Sequence, residues 1–91
     1  MQKQPSTQRF ERFTGPYSYI VTARRVDQVH EGNYAATVTE MVQYPHAGAT
    51  GVIVTNKPAG ERYGETPDQA ADKMIADVEQ WIRLQIGGSR A

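Results

Sequence analysis

The stretch TPDQAADKMIADVEQWIRLQI, residues 66–86, followed by Gly87-Gly88, decides how the chain is read. Its first residues carry the signals of a helix start. Thr66 offers a hydroxyl that accepts from the free N–H groups of a first turn. Pro67 follows where a missing N–H costs nothing and a fixed φ suits the helix. Gln69, three residues after the cap, completes a capping-box pattern. Glu65 and Asp68 place negative charge at the positive end of the helix dipole, and Gly87-Gly88 supplies residues that stop a helix in the left-handed conformation. On a helical wheel Ala71, Ile75, Val78 and Ile82 form the centre of an apolar stripe, flanked by Met74, Trp81 and Ile86. Asp72, Lys73, Ala76, Asp77, Glu79, Gln80 and Arg83 take the other side, with Glu79 and Arg83 at the spacing of an i,i+4 ion pair. Ile75→Asp or Val78→Asp is expected to unfold such a domain, because either buries an unpaired charge; Lys73→Ala should change almost nothing.

A stripe of this kind has to be covered, and the sequence before it offers strands. From Tyr17 to Val26 the side chains alternate, with Tyr17, Tyr19, Val21 and Ala23 on one face and Ser18, Ile20, Thr22, Arg24 and Val26 on the other. The more uniformly apolar set is expected to lie under the helix. Glu31-Gly32-Asn33 suits a hairpin connection. A second strand runs from Tyr34 to Tyr44, with Tyr34, Ala36, Val38, Val42 and Tyr44 on the core face and Ala35, Thr37, Thr39, Met41 and Gln43 opposing them. Glu40 is the misfit, and a bulge there would turn its carboxylate outward. After a loop with Gly48 at its turning point, Thr50 to Asn56 carries the β-branched run Val52-Ile53-Val54-Thr55, the third strand. Glu61-Arg62-Tyr63 has the character of a short additional strand. The expected fold is therefore α+β: a three-stranded antiparallel sheet in the order β-β-β-α, with one C-terminal amphipathic helix packed on one face. The other face is left to water or to a partner.

Ninety-one residues make one domain, too short for two cores. Residues 1–14 are polar and lack a strand or helix period, which reads as a flexible N-terminal arm, with Phe10 and Phe13 the exceptions, one of them expected to fold back on the core; residues 15–88 form the domain and 89–91 a tail. With no cysteine in the chain, disulfides, thiolate metal sites and Cys nucleophiles are excluded. No apolar run approaches the ~20 residues of a membrane-spanning helix, and the first residues lack the apolar segment of a signal peptide. These features lead to the expectation of a cytoplasmic protein without membrane contact. The ten basic and ten acidic residues cancel, which argues against a dedicated binder of nucleic acid or of a charged membrane surface. The charge is uneven, positive over residues 1–30 and negative over 61–91.

The side chains that could carry chemistry do not assemble into a motif. His30 and His46 both fall in loops without metal-ligand spacing, and read as solvated. Ser18, His46 and Glu40 can be written as a trio, but no strained nucleophile turn supports it. Gly48-Ala49-Thr50-Gly51 is too short for a phosphate cradle, lacks a following Lys and leads into a strand. No enzyme, cofactor or metal is expected.

The open face of the sheet is the better candidate. Ser18, Thr22 and Arg24 from the first strand and Thr37, Thr39 and Gln43 from the second should meet there. Such a face can enter a DNA groove, with strand side chains reading base edges and Arg25, Lys57 and Arg62 reaching phosphates. It can equally be a solvated polar surface. The strand tyrosines Tyr17, Tyr19, Tyr34 and Tyr44 are expected on the core face, their hydroxyls reaching water, which leaves no aromatic platform for RNA bases. If the sheet is too narrow to cover Met74, Trp81 and Ile86, they form an apolar patch that favours a homodimer. An unprotected strand edge is a second route to self-association.

The run Gly64-Glu65-Thr66-Pro67-Asp68-Gln69-Ala70-Ala71 resembles the start of the helix in HicB-like antitoxin domains, in which antiparallel strands precede a Gly-acid-Thr turn and an Ala-containing helix. The likeness in element order covers Tyr34 to Ile86. It implies a small bacterial protein that binds and neutralises an RNA-cleaving toxin. The Pro-acid-Leu-Pro-Gly-Cys stretch typical of that family before its third strand is missing, with Tyr44-Pro45-His46-Ala47-Gly48 in its place, and no strand or DNA-binding helix is expected after Gly87. The leading expectation is a non-enzymatic protein-binding or self-associating module working through the open face or an edge. Nucleic-acid binding through that face, centred on Arg24, is the alternative.

Overall fold

A computed structural model describes residues 7–26 and 33–88. Five strands and one helix follow in chain order: β1 (Thr7–Thr14), β2 (Tyr17–Arg25), β3 (Tyr34–Gln43), β4 (Val52–Ile53), β5 (Arg62–Gly64) and α1 (Pro67–Gly88). The fold is α+β, an antiparallel sheet with the C-terminal helix packed on one face. Strand order is β1-β2-β3-β4, and β5 pairs with the opposite end of β3 from β4. The 27–32 connection, with His30 and the Glu31-Gly32 part of the expected hairpin turn, lies outside the described residues.

The sheet is wider than the sequence suggested. Thr7–Thr14 was expected within a flexible arm, yet it pairs with β2 along its whole length, from Thr7↔Arg24 to Thr14↔Tyr17. Its alternation is silent because neither face is apolar. Gln8, Phe10, Arg12 and Thr14 share the helix side, and only Phe10 packs against the core. Backbone pairing to a well-specified neighbour holds this strand, with little contribution from its own side chains. At the other edge the expected third strand shrinks to Val52–Ile53, both exposed. Its buried residue is the next one, Val54, whose N–H donates to the Met41 carbonyl at 2.9 Å. The run is therefore a short edge and not a central strand.

The bulge expected near Glu40 is present, and its consequences reach further than Glu40. Ile20 pairs with Glu40, while the next residue, Val21, pairs with Val38, so Thr39 is the extra residue on β3. An extra residue inverts the alternation beyond it. Glu40 moves to the open face, and Val42 follows it there. Met41 takes the core position and is 1% exposed. Tyr44, expected on the core face, is exposed for the same reason.

The core is built from Tyr17, Tyr19, Val21 and Ala23 of β2, Ala36, Val38 and Met41 of β3, Val54, and Ala70, Ala71, Met74, Val78 and Ile82 of α1. Met74 and Ile75 exchange their expected roles: Met74 is fully buried and Ile75 only partly so. Thr66 Oγ1 accepts from the Gln69 N–H at 3.1 Å, and Gln69 Oε1 accepts from the Glu65 N–H at 2.9 Å. This is the capping box moved by one residue on its return arm. Helical structure continues through Gly87, so the glycines sit in the last turn instead of ending it. Trp81 meets Tyr17 edge-on, with ring centroids 5.7 Å apart at 75°.

Polar residues on the flanks of α1 clamp it to the sheet. Arg62 Nε and Nη2 donate to the two carboxylate oxygens of Asp77 at 2.6 and 2.9 Å, and Lys73 Nζ donates to the Tyr63 carbonyl at 2.7 Å. On the other flank Glu79 accepts from Thr14 Oγ1 at 2.6 Å and from the Tyr19 hydroxyl at 2.5 Å. Glu79 was expected to face solvent beside Arg83; its hydrogen bonds go instead to β1 and β2. The phenol of Tyr19 is held well above its usual pKa, first by burial, then by the hydrogen bond to Glu79 and by that carboxylate's charge. A raised folded-state pKa gives a stabilisation that is complete below the unfolded value of about 10 and is lost as pH rises beyond it. The melting temperature is accordingly expected to fall above pH 10 more steeply than that of Tyr19→Phe, a comparison that thermal melts across alkaline pH provide. Equal slopes would mean that the Tyr19 hydroxyl is not held in this way.

Candidate functional site

Strand register sorts the open face into transverse rows. At one end Thr7, Arg24, Ala35 and Tyr63 lie side by side, followed by Arg9, Thr22 and Thr37. The next row is Glu11, Ile20 and Glu40, and the last is Phe13, Ser18, Val42 and Ile53. Of the residues expected on this face, Ser18, Thr22, Arg24, Thr37 and Thr39 are there. Gln43 is not: it opposes Tyr17, on the helix side, because the bulge has inverted that end of β3.

In the middle of the face Thr22 and Thr39 are tied to one another. Thr22 Oγ1 and Thr39 Oγ1 lie 2.9 Å apart, and Thr39 also donates to the Ile20 carbonyl at 3.3 Å. Arg24 Nη2 donates to Glu61 Oε2 at 2.7 Å, and the other oxygen of Glu61 accepts from the Tyr63 hydroxyl at 2.6 Å. An exposed pair of this kind contributes about 0.2–1 kcal/mol, but it neutralises the guanidinium on which base or phosphate contacts would depend. Arg62, another candidate for phosphate contact, is engaged by Asp77 on the opposite side of the sheet. Its guanidinium pKa is raised, first by that hydrogen bond and then by the carboxylate's charge.

The last two rows differ in character. Phe13 is 79% exposed and Ile53 64%. Between them stand the half-buried Val42 and the small Ser18, with Ile20 half-buried in the adjoining row. Together they make an apolar strip across β1, β2, β3 and β4 beside a shallow depression lined in part by Glu11, Phe13, Ser18, Ile20 and Glu40. Glu11 and Glu40 flank Ile20 from the neighbouring strands. Gly51 belongs to this end of the sheet. A Cβ there would collide with Val42 Cγ1 and stand 2.9 Å from the Tyr44 ring, so the absence of a side chain lets the chain pass close over both.

Sequence reasoning missed this strip for identifiable reasons. Phe13 lay in a stretch read as an arm, and Val42 was assigned to the core. The signal was present in Glu40, since a bulge that turns out one carboxylate must turn out the residue two places on. The helix flank suggested for self-association is largely covered, with Met74 buried and Trp81 packed on Tyr17. Ile86 stays half exposed at the end of α1.

Among the described residues no hydrogen bond joins Ser18, Glu40 and His46; the His46 ring is exposed, its Nδ1 3.1 Å from the Ala47 carbonyl oxygen. The described residues contain no group of three His, Cys, Asp or Glu side chains placed to hold a metal ion. No helix among them is long and apolar enough to cross a membrane. No family model, curated protein or solved structure matches the chain. The likeness to HicB-like domains thus rests on the run from Gly64 to Ala71, where several residues have local tasks. Thr66 and Gln69 cap the helix, Ala70 and Ala71 are fully buried, and Gly64 admits the first helical turn against β5.

Proposed function

We propose that the domain is a non-enzymatic protein-binding module whose contact surface is the open face of the sheet, centred on the strip Phe13–Ser18–Val42–Ile53. The observation that carries this reading is the exposure of Phe13 and Ile53 at the two ends of one row, with Val42 and only the small Ser18 between them. Removing such a row from water contributes about 25 cal/mol per Å² of apolar surface. Glu11 and Glu40 add sign to the surface, so a fitting partner presents apolar side chains flanked by lysine or arginine.

The test places a photo-crosslinking phenylalanine analogue at Ile53 in the source cells. A discrete adduct to another protein, lost with Phe13→Glu, is the expected result. Phe13 is too exposed for that change to disturb the fold. An adduct unaffected by Phe13→Glu, or none, contradicts the reading.

The nucleic-acid alternative keeps one observation in its favour, since Thr22, Thr37, Thr39 and Arg24 do share the open face. Its signature is affinity for duplex or single strands that weakens as salt rises and that Arg24→Ala reduces. With Arg24 held by Glu61 and two carboxylates on the same face, no such affinity is expected in fluorescence anisotropy at low salt.

A further inference from the structure

The outer edge of β1 is a strand edge that no described segment covers. Its inner edge is paired with β2 from Thr7 to Thr14 without a break in register. Edges that remain single are usually blunted by proline, by charged side chains, by a bulge or by a covering segment. Thr7–Thr14 contains no proline and no bulge, and its charges, Arg9, Glu11 and Arg12, are of mixed sign, so they repel a second strand only in some registers.

The geometry points to a second copy of this chain as the occupant of that edge, paired antiparallel with Phe10 opposite Phe10 of its twin. This goes beyond the reading above: the open face takes another protein, and the edge of β1 takes a second copy. Two copies related by a two-fold axis perpendicular to the sheet can only oppose residues of the same face. The register must therefore put some residue of β1 opposite its own copy. Centring on Arg9, Glu11 or Arg12 sets two like charges face to face, which is unfavourable. Centring nearer either end leaves only a few residues paired. Centring on Phe10 pairs Thr7 through Phe13, and every opposed pair is compatible. Arg9 meets Glu11 of the twin on the open face, twice by symmetry, and the Arg9–Glu11 pair already 3.7 Å apart within one chain becomes an alternating square of charges. On the helix face Gln8 meets Arg12 of the twin. The two Phe10 rings meet at the axis, shielding the part of each that the core leaves uncovered. Phe13 comes to lie opposite Thr7 of the twin. The apolar strips of the two copies are then offset along the strands by the Thr7–Phe13 separation, roughly 20 Å, giving one extended face with two contact strips.

Sedimentation equilibrium and cysteine crosslinking test this on the intact chain. The wild type is expected to dimerise. Arg9→Glu and Glu11→Arg should each raise the dimer dissociation constant roughly tenfold or more, because two attractive pairs become repulsive. The double variant should restore it. Both side chains are more than half exposed, so neither change threatens the fold. The chain has no cysteine. Phe10→Cys should therefore give a symmetric disulfide on mild oxidation, since directly opposed Cα atoms lie about 4.5–5.5 Å apart; Gln8→Cys should not. A chain that stays monomeric at high concentration overturns the inference and leaves the open-face reading standing on its Ile53 adduct. A dimer indifferent to Arg9→Glu and Glu11→Arg but dissolved by Phe13→Ser with Ile53→Ser also overturns it, by placing self-contact on the open face. Crosslinking through Gln8→Cys in preference to Phe10→Cys would show a different register, and the inference would be wrong.

Discussion

Val78→Asp is expected to leave the domain unfolded, while Ile75→Asp leaves it folded and weakened. Val78 is fully buried at the centre of the contact between α1 and the sheet. A carboxylate there has no cation within the core and no route to water. It loses the valine's packing and adds several kcal/mol for an uncompensated buried charge. A domain of this size has only about 5–15 kcal/mol in hand. Ile75 sits on the same stripe but is only half-buried, so an aspartate can turn its charged end outward and the cost falls to that of lost packing. Far-UV circular dichroism and urea titration distinguish the two outcomes. Equal tolerance of both changes would mean that α1 does not organise the fold.

Gly64→Val is expected to have the second largest effect, and the reason lies outside backbone conformation. Gly64 is not among the glycines with positive φ, which are Gly15, Gly48 and Gly60. Its constraint is proximity. A Cβ at this position would stand 2.5 Å from the Ala70 nitrogen and 2.8 Å from Gln69 Cβ, inside the first turn of the helix. Backbone atoms cannot swing aside as a side-chain tip can, so α1 or β5 must move. Gly64→Ala should cost about 1–3 kcal/mol and Gly64→Val more, with loss of the capping contacts between Glu65, Thr66 and Gln69. Gly87→Ala gives the opposite sign. That residue lies in the last turn with open space around it, so an alanine should stabilise by about 0.5–1 kcal/mol. Thermal melts of the variants side by side check the order.

The helix was legible because its evidence is local. A cap, a proline, an acidic first turn and a repeating apolar stripe all lie within one segment, and the structure agrees with nearly all of them. Strand β2 was legible for the same reason, its Tyr17, Tyr19, Val21 and Ala23 alternation surviving intact. What escaped was information held between segments. β1 has no apolar face of its own and exists because β2 offers it a paired edge. Glu79 looks like a solvent residue on a wheel, yet Thr14 and Tyr19, far away in sequence, supply its hydrogen bonds. The bulge at Thr39 was readable from Glu40, but the inversion of Val42 and Tyr44 emerges only when the shift is carried along the whole strand. That inversion converts an expected polar face, defined by Ser18, Thr22, Arg24, Thr37, Thr39 and Gln43, into one whose far end is apolar.

The proposed binding surface and the helix lie on opposite sides of the sheet. The polar flanks of α1, through Asp77, Lys73 and Glu79, hold the helix down, and the strip with Phe13 and Ile53 lies across the sheet, while Leu84 and Ile86 are exposed near the end of α1. Placing the same photo-crosslinker at Ile53 and, separately, at Asp72 on the exposed side of the helix measures that division most directly. A discrete protein adduct from Ile53 and none from Asp72 is the predicted result. An adduct from Asp72 with none from Ile53 would contradict it, and would move the binding surface to the helix.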